Sequence, residues 1–287
     1  MAAGGPKVGV VGHVEWVQFA NVPHVPLAGE VVHASAPFEE PAGGGAVAAV
    51  QLARLAGAAG LFTALGGDEH GERSIARLTE LGVAVHTSRL PDPTRRAVTL
   101  IDGAGERTIT TLGARLEPHG ERTEIGWEAI AGSDAVYFTA GDVAALRAAR
   151  AGSRVLVASP RARDALGHGV PIDVLVLSGE DRIERRAASA AEPDAELVVL
   201  TDGARGGTWR SRSGETGSWA PGALPGPVAD SYGCGDSFAG GLTFGLAAGL
   251  PLAGALDLAA RCGAVCLTGR GPYQRQLTAA DLDQPRT

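Results

Sequence analysis

Four near-continuous apolar runs, Ala135 to Thr139, Val155 to Ser159, Val174 to Leu177 and Leu197 to Thr201, most constrain how this 287-residue chain can fold. A strand with one wet face alternates apolar and polar residues, whereas a run without alternation must be covered on both faces. Helical or loop segments separate the runs, the pattern of parallel strands joined by crossovers and sandwiched between helices. Upstream, Lys7 to Gly12 and Leu61 to Leu65 read as further buried strands. Val47 to Leu55 reads as a small-residue helix after a flexible hinge, Gly43-Gly44-Gly45, and Arg73 to Leu81 as an amphipathic helix stopped by Gly82. Val98 to Ile101 and Arg107 to Thr111 flank Asp102-Gly103-Ala104-Gly105-Glu106, a hairpin signature. With the segment from Val14 to Ala36, this hairpin is expected to form a small sheet protruding from the body. Ser237 to Leu250 and Leu252 to Thr268 are small-residue helices able to pack closely. No linker divides the chain, so residues 1–287 read as a single domain whose small β lid comes from about 13–37 and 94–112.

A second feature carries chemistry. In Asp230-Ser231-Tyr232-Gly233-Cys234-Gly235-Asp236, two glycines bracket one small residue, an aspartate closes the turn, and a long helix begins. Free backbone N–H groups gather at a helix start, where the helix dipole also favours negative charge. An aspartate is out of place there if the site only binds an anion. It fits if the aspartate takes a proton from a hydroxyl while the amides hold a phosphoryl group, so the segment reads as phosphoryl transfer to an alcohol.

Composition narrows the partners. A net charge of -7 argues against nucleic acid, which attracts concentrated basic surface. Lys7 is the single lysine, so cationic contacts fall to arginine, whose planar fork suits phosphate or carboxylate. Cys234, Cys262 and Cys266 form no disulfide framework, and Cys262 with Cys266 lacks the partners of a zinc set. Neither a signal-peptide core nor an apolar run of membrane-spanning length is present, so the expected location is the cytoplasm, without a membrane partner.

These pieces, in this order, resemble the ribokinase-like (PfkB) sugar kinase family over nearly the whole chain. Asp230-Ser-Tyr-Gly-Cys-Gly-Asp236 resembles the family's Asp-Thr-x-Gly-Ala-Gly-Asp signature. Gly66-Gly67-Asp68-Glu69-His70-Gly71, with Leu81-Gly82-Val83, is similar to its Gly-x-Asp-x-x-Gly segment. Thr94, Ala97 and Asp102 to Arg107 resemble its lid hairpin, and Thr201-Asp-Gly203-Ala-Arg-Gly206 its nucleotide-side Thr-x-Gly-x-x-Gly. The resemblance implies a three-layer α/β/α fold with a mainly parallel central sheet, and ATP-dependent phosphorylation of a small sugar or sugar-like alcohol with Mg²⁺. By carry-over, Asp236 is the general base and the amides of Gly233, Cys234 and Gly235 form the anion hole. Ser178, Thr201, Gly203 and Gly206, with Gly233 and Gly235, would meet the nucleotide. Glu15, Gly43, Gly44 and Val47, with Asp236, would meet the acceptor. Glu180 and Asp181 stand near the family's Asn-x-x-Glu, written here Ser178-Gly-Glu-Asp181, and could reach the metal through water.

The acceptor side departs from the family. Val17 stands where the family has a sugar-gripping aspartate, with Glu15 the nearest carboxylate, and Val47 stands where it has an asparagine. An apolar pocket around Trp16, Val17 and Val47 would suit a base, making a nucleoside kinase one alternative; a ligand sensor with weak turnover is another. A lid edge could also pair with a second copy to give a homodimer.

Simpler roles compete for individual residues. Asp236 and Asp68 could be helix caps, and Gly233 and Gly235 plain turn glycines. Cys234 reads as a small filler, although a thiol at a helix N-terminus should have a lowered pKa. Glu15 is either a substrate ligand or a solvated strand-end charge, and His13 reads as structural, with a site histidine as the alternative. Arg95, Arg96 and Arg107 read as exposed hairpin charges, with contact to an anionic substrate as the sharper alternative.

Overall fold

A computed structural model describes residues 5–282. Nine strands form the main sheet: β1 (Val8–Val11), β4 (Ala59–Gly66), β5 (Val83–Leu90), β8 (Ser133–Phe138), β9 (Ser153–Ala158), β10 (Ile172–Ser178), β11 (Ala195–Thr201), β12 (Gly207–Ser211) and β13 (Thr216–Trp219). Their order is β13-β12-β11-β10-β9-β8-β1-β4-β5, parallel from β11 to β5, with β12 and β13 antiparallel at one edge. The four apolar runs are therefore neighbouring central strands. In β8, Ala135 and Tyr137 enter one core while Val136 and Phe138 enter the other. Both faces are dry, which explains why alternation is missing from the sequence.

Helices α1 (Gly44–Ala56), α2 (Glu69–Glu80), α5 (Cys234–Ala247) and α6 (Leu252–Leu267) cover one face, and α3 (Val143–Gly152) and α4 (Arg182–Ala191) the other. Small residues let the first group approach closely. A Cβ on Gly240 of α5 would lie 3.1 Å from the Ala48 carbonyl oxygen of α1, and one on Gly241 2.6 Å from the Cys262 sulfur of α6.

A second sheet contains β2 (Glu15–Asn21), β3 (Ser35–Ala42), β6 (Arg96–Ile101) and β7 (Arg107–Leu112), in the order β3-β2-β6-β7. Pairing is antiparallel except for β2 against β6. Its extent differs from the expected one: β3 continues to Ala42, because this strand leads directly into α1.

The expected hinge is also different. Gly44 and Gly45 belong to α1 and are buried, and Gly43 is its N-cap at φ 91°. These glycines serve close packing. A Cβ on Gly12, just past β1, would lie 2.7 Å from the Cα of Gly45 and 2.7 Å from Cγ2 of Thr139. Gly12→Ala is therefore expected to wedge α1 off the strand ends at a cost of about 1–3 kcal/mol, seen as a lower urea midpoint. An unchanged midpoint would show that α1 can shift freely.

Candidate active site

The start of α5 is set by Gly233, which takes φ 80° as N-cap so that the chain can turn into the helix. The first-turn amides of an α-helix have no intrahelical acceptor and point outward along the axis. Gly235 is exposed, and a Cβ built there meets nothing within 4 Å, so the turn is open on that side. Behind them, Val47 of α1 props the turn: its Cγ1 lies 3.0 Å from where a Gly233 Cβ would be. Tyr232 accepts a 3.3 Å hydrogen bond from the Gly43 N–H through its buried phenol oxygen. Asp230, 1% exposed, accepts from the Tyr232 and Gly271 amides, each at 2.8 Å. Gln276 Nε2 donates to the Val47 carbonyl at 3.3 Å and to Ser237 Oγ at 3.2 Å. The anion-hole turn is thus locked to α1 on several sides.

Asp236 lies in the first turn of α5, partly buried. Its Oδ1 and the Thr139 hydroxyl lie 3.0 and 3.3 Å from the point a Cβ on Gly44 would occupy. The N-termini of α1 and α5 therefore meet at this carboxylate. Burial pushes the Asp236 carboxyl above its ordinary value; Arg161 and Arg107 draw it back, and Glu184 raises it again.

Around this point stands a wall of charge. His13 is 9% exposed, and burial, with Arg115, Arg95, Arg161 and Arg163 in range, holds its imidazole well below the usual value and so neutral. Glu15 is 6% exposed; burial raises its carboxyl, Arg95 and Arg115 lower it, and Asp236 raises it. Arg95 Nε lies 3.5 Å from Glu15 Oε2. Arg115 donates to the carbonyls of Arg161 and Thr139, each at 2.8 Å, and pairs with Glu117 at 3.2 Å. Arg161 bridges Glu184 at 2.5 Å and Asp181 at 3.1 Å. The second sheet is tied down beside the site: Arg107 donates to Ser231 O and Oγ at 3.0 and 3.1 Å, and the Ser231 amide donates to Gly105 at 3.1 Å.

At the carboxyl ends of β10 and β11 lies a cleft of about 420 Å³ lined in part by Gly179, Leu200, Asp202, Thr208, Ser218 and Trp219. Trp219 stacks on Phe238 of α5 with ring centroids 5.7 Å apart, joining the cleft wall to the catalytic helix. Gly203 and Gly206, at φ 51° and 83°, shape the turn at its rim.

The structure brings Asp236, Gly233, Cys234, Gly235, Gly43, Gly44 and Glu15 together, and sets Thr201, Gly203 and Gly206 at the cleft. Other expectations change. Arg95 is not an exposed hairpin charge but is four-fifths buried against Glu15, because its carbonyl accepts the Trp16 amide at 2.9 Å and so holds it beside the start of β2. Ser178 Oγ accepts from the Glu180 and Asp181 amides at 3.3 Å each, forming a turn. Asp181 caps α4, accepting from Ile183 and Glu184, and Glu180 is exposed, 3.7 Å from Arg205. The carboxylate that turns inward is Glu184, which accepts the Ser178 amide at 2.8 Å. Its one sequence signal is its spacing, one helical turn past the cap. Cys234 reverses the dipole expectation: the adjoining Cys266 sulfur and burial push its thiol up. Val17 and Val47 are fully buried in the core. Trp16 instead packs under Arg73, 4.2 Å from the ring, and against His70. Asp68 caps α2 and also accepts from Thr94 N–H and Oγ1–H, at 2.9 and 2.6 Å.

The pfkB family carbohydrate kinase model matches residues 6–159 and 174–279. The chain belongs to this family. Acarbose 7(IV)-phosphotransferase of an Actinoplanes species is 47% identical over 76 residues, 26% of this chain and 25% of that protein. A microbiome-derived acarbose kinase superposes with a TM-score of 0.77 at 22% identity, covering 97% of this chain and 98% of that one. Ribokinase from Arabidopsis thaliana, complexed with ribose and ATP, gives 0.75 at 18% identity, covering 97% of each. Among the described residues of this pfkB-family kinase, no helix is long and apolar enough to cross a membrane.

The raised Asp236 carboxyl has a thermodynamic consequence. A carboxyl raised in the folded state stabilises most below its unfolded pKa, and that contribution is lost as pH rises through the folded value. Ionised Asp236 therefore weighs against folding at neutral pH. Asp236→Asn should raise the urea midpoint at pH 7–8 and lose that advantage below about pH 4. Equal midpoints at both pH values would contradict the burial of this charge.

Proposed function

We propose that this carbohydrate kinase moves the γ-phosphoryl group of ATP to a hydroxyl of a small sugar or sugar-like alcohol, with Asp236 as general base. One observation carries the reading: Asp236 Oδ1 stands where the α1 and α5 N-termini meet, beside the Thr139 hydroxyl and next in sequence to the exposed Gly235. Asp236 takes the acceptor hydroxyl proton, and a pKa raised by burial suits a carboxylate to that task. The amides of Gly233, Cys234 and Gly235 receive the charge that develops on the transferring group. Arg161, between Asp236 and Glu184, adds a guanidinium on the same path.

The residues fit a nucleotide, since the cleft opens at the carboxyl ends of parallel strands and is walled by Trp219. No group of three or more His, Cys, Asp or Glu able to hold a metal occurs among the described residues. Mg²⁺ would accordingly be held mainly by nucleotide phosphates and water, with Glu184 and Asp181 nearest, and would neutralise phosphate charge. The second sheet serves as a lid, its Arg107 tie to Ser231 keeping water from the acceptor face.

Replacing Asp236 by Asn should lower kcat for ADP release with the true acceptor by about 10²–10⁴-fold, with a much smaller change in the KM for ATP. Turnover within a few-fold of wild type would make the base assignment wrong. Tight acceptor binding by wild-type protein without any ADP would point instead to a sensor.

A further inference from the structure

Helices α5 and α6 lie antiparallel, and glycines mark the seam between them. Gly245 faces Ala255, Gly241 faces Ala259 and Cys262, and Gly263 faces Phe238 and the Cys234 carbonyl. Residues three and four apart share one face of a helix. On α5 that stripe ends at Cys234, one turn before Phe238; on α6 it ends at Cys266, one turn past Cys262. The two cysteines therefore close the same seam, at the end where α5 begins.

The seam is narrow. A Cβ on Gly245 would lie 2.9 Å from that of Ala255, one on Gly241 3.1 Å from that of Cys262, and one on Gly263 3.8 Å from that of Phe238. A disulfide requires Cβ atoms about 3.5–4.5 Å apart, and helices held this close supply that spacing. Both thiols are free, and both sulfurs touch one turn. Cys266 donates to the Tyr232 carbonyl at 3.5 Å, and Cys234 to the Asp230 carbonyl at 3.9 Å. Cys262 faces Gly241, where no sulfur stands opposite. Cys234 is partly exposed beside the exposed Gly235, whereas Cys266 is fully buried. A small oxidant thus reaches the pair through Cys234. A bond between the sulfurs would draw both off their carbonyls and tie the first residue of α5, with its Gly233 cap, to α6.

We infer that Cys234 and Cys266 form a reversible disulfide under hydrogen peroxide, and that the linked protein loses its hold on the terminal phosphoryl group of the nucleotide. The Cys234 sulfur takes one oxygen as the O–O bond breaks, giving a sulfenic acid and one water. The Cys266 sulfur then displaces that oxygen as the S–S bond forms, and it leaves as a second water with the Cys266 proton. The thiols lose two electrons and the peroxide gains them; an added dithiol reverses the bond by exchange. The adjoining Cys266 sulfur and burial hold the Cys234 thiol up, so thiolate is scarce at neutrality and linkage quickens as pH rises. The nucleotide effect rests on the kinase reading above; the linkage does not.

The test treats wild-type protein, Cys262→Ala, Cys266→Ala and Cys266→Ser with hydrogen peroxide at neutral and mildly alkaline pH. Digests made without reductant are mapped by mass spectrometry. Each protein is titrated calorimetrically, before and after oxidation, with ADP and with β,γ-imido-ATP. A Cys234–Cys266 linkage should appear in wild type and Cys262→Ala, faster at the higher pH, and in neither Cys266 variant. Oxidation should weaken wild-type binding of the ATP analogue at least ~10-fold, and of ADP less, with recovery in dithiothreitol. Both Cys266 variants should keep their affinity. Oxyacids at Cys234 without a linkage, or a linkage to Cys262, overturns the pairing. A linkage that leaves both nucleotide affinities unchanged overturns the switch. If the reduced protein binds neither nucleotide, the kinase reading fails, and the mass map still decides the pairing.

Discussion

The close approach of Gly12 to Gly45 determines where everything else in the site can stand. Because neither residue carries a side chain, the start of α1 rests directly on the end of β1, beside Thr139 at the end of β8. That contact lets the amino end of α1 meet the amino end of α5, with Asp236 between them. The same tolerance recurs where Gly44 leaves room for the Asp236 carboxylate and Gly240 lets α5 lie on α1. Protein interiors are packed densely enough that one methyl group at such a point moves whole elements.

Given that geometry, the electrostatics follow. Two helix starts offer positive potential to a partly buried carboxylate, while burial opposes its ionisation. This carboxylate is held by packing in a place where its charge is unfavourable, a trade of stability for reactivity common at active sites. The surrounding arginines are mostly balanced by Glu15, Glu117, Asp181 and Glu184, so their positions are held by ion pairs buried to different depths. Arg107 connects this centre to the second sheet by its hydrogen bonds to Ser231, in the turn that leads into α5.

Asp230 to Asp236 was legible because its pattern is local: seven consecutive residues contain the turn, the helix-start amides and the carboxylate. The central strands were legible because burial on both faces leaves a continuous apolar run. The edge strands β12 and β13 were not, since Thr208, Trp209, Arg210 and Ser218 mix polar and apolar residues on a half-covered edge. Gly43 to Gly45 looked like a hinge because glycine has poor helix propensity, yet packing against Gly12 and His13 makes helix the better state there. Thr139, Arg161, Glu184 and Trp219 gave no distinctive local signal. Each lies at or beyond the carboxyl end of a different strand, and only the sheet order gathers them on one side of the molecule.

By itself, then, the sequence determined the class of fold, the family and the reaction, because those depend on periodicity and on one contiguous motif. Tertiary structure alone decided which charges surround Asp236. It buried Arg95 against Glu15, turned Glu184 inward and Glu180 outward, moved Trp16 away from the site, and raised rather than lowered the Cys234 thiol. The physical reason is common to all of these: burial and charge pairing depend on neighbours brought together by the sheet, and residues tens of positions apart in sequence carry no local mark of that meeting.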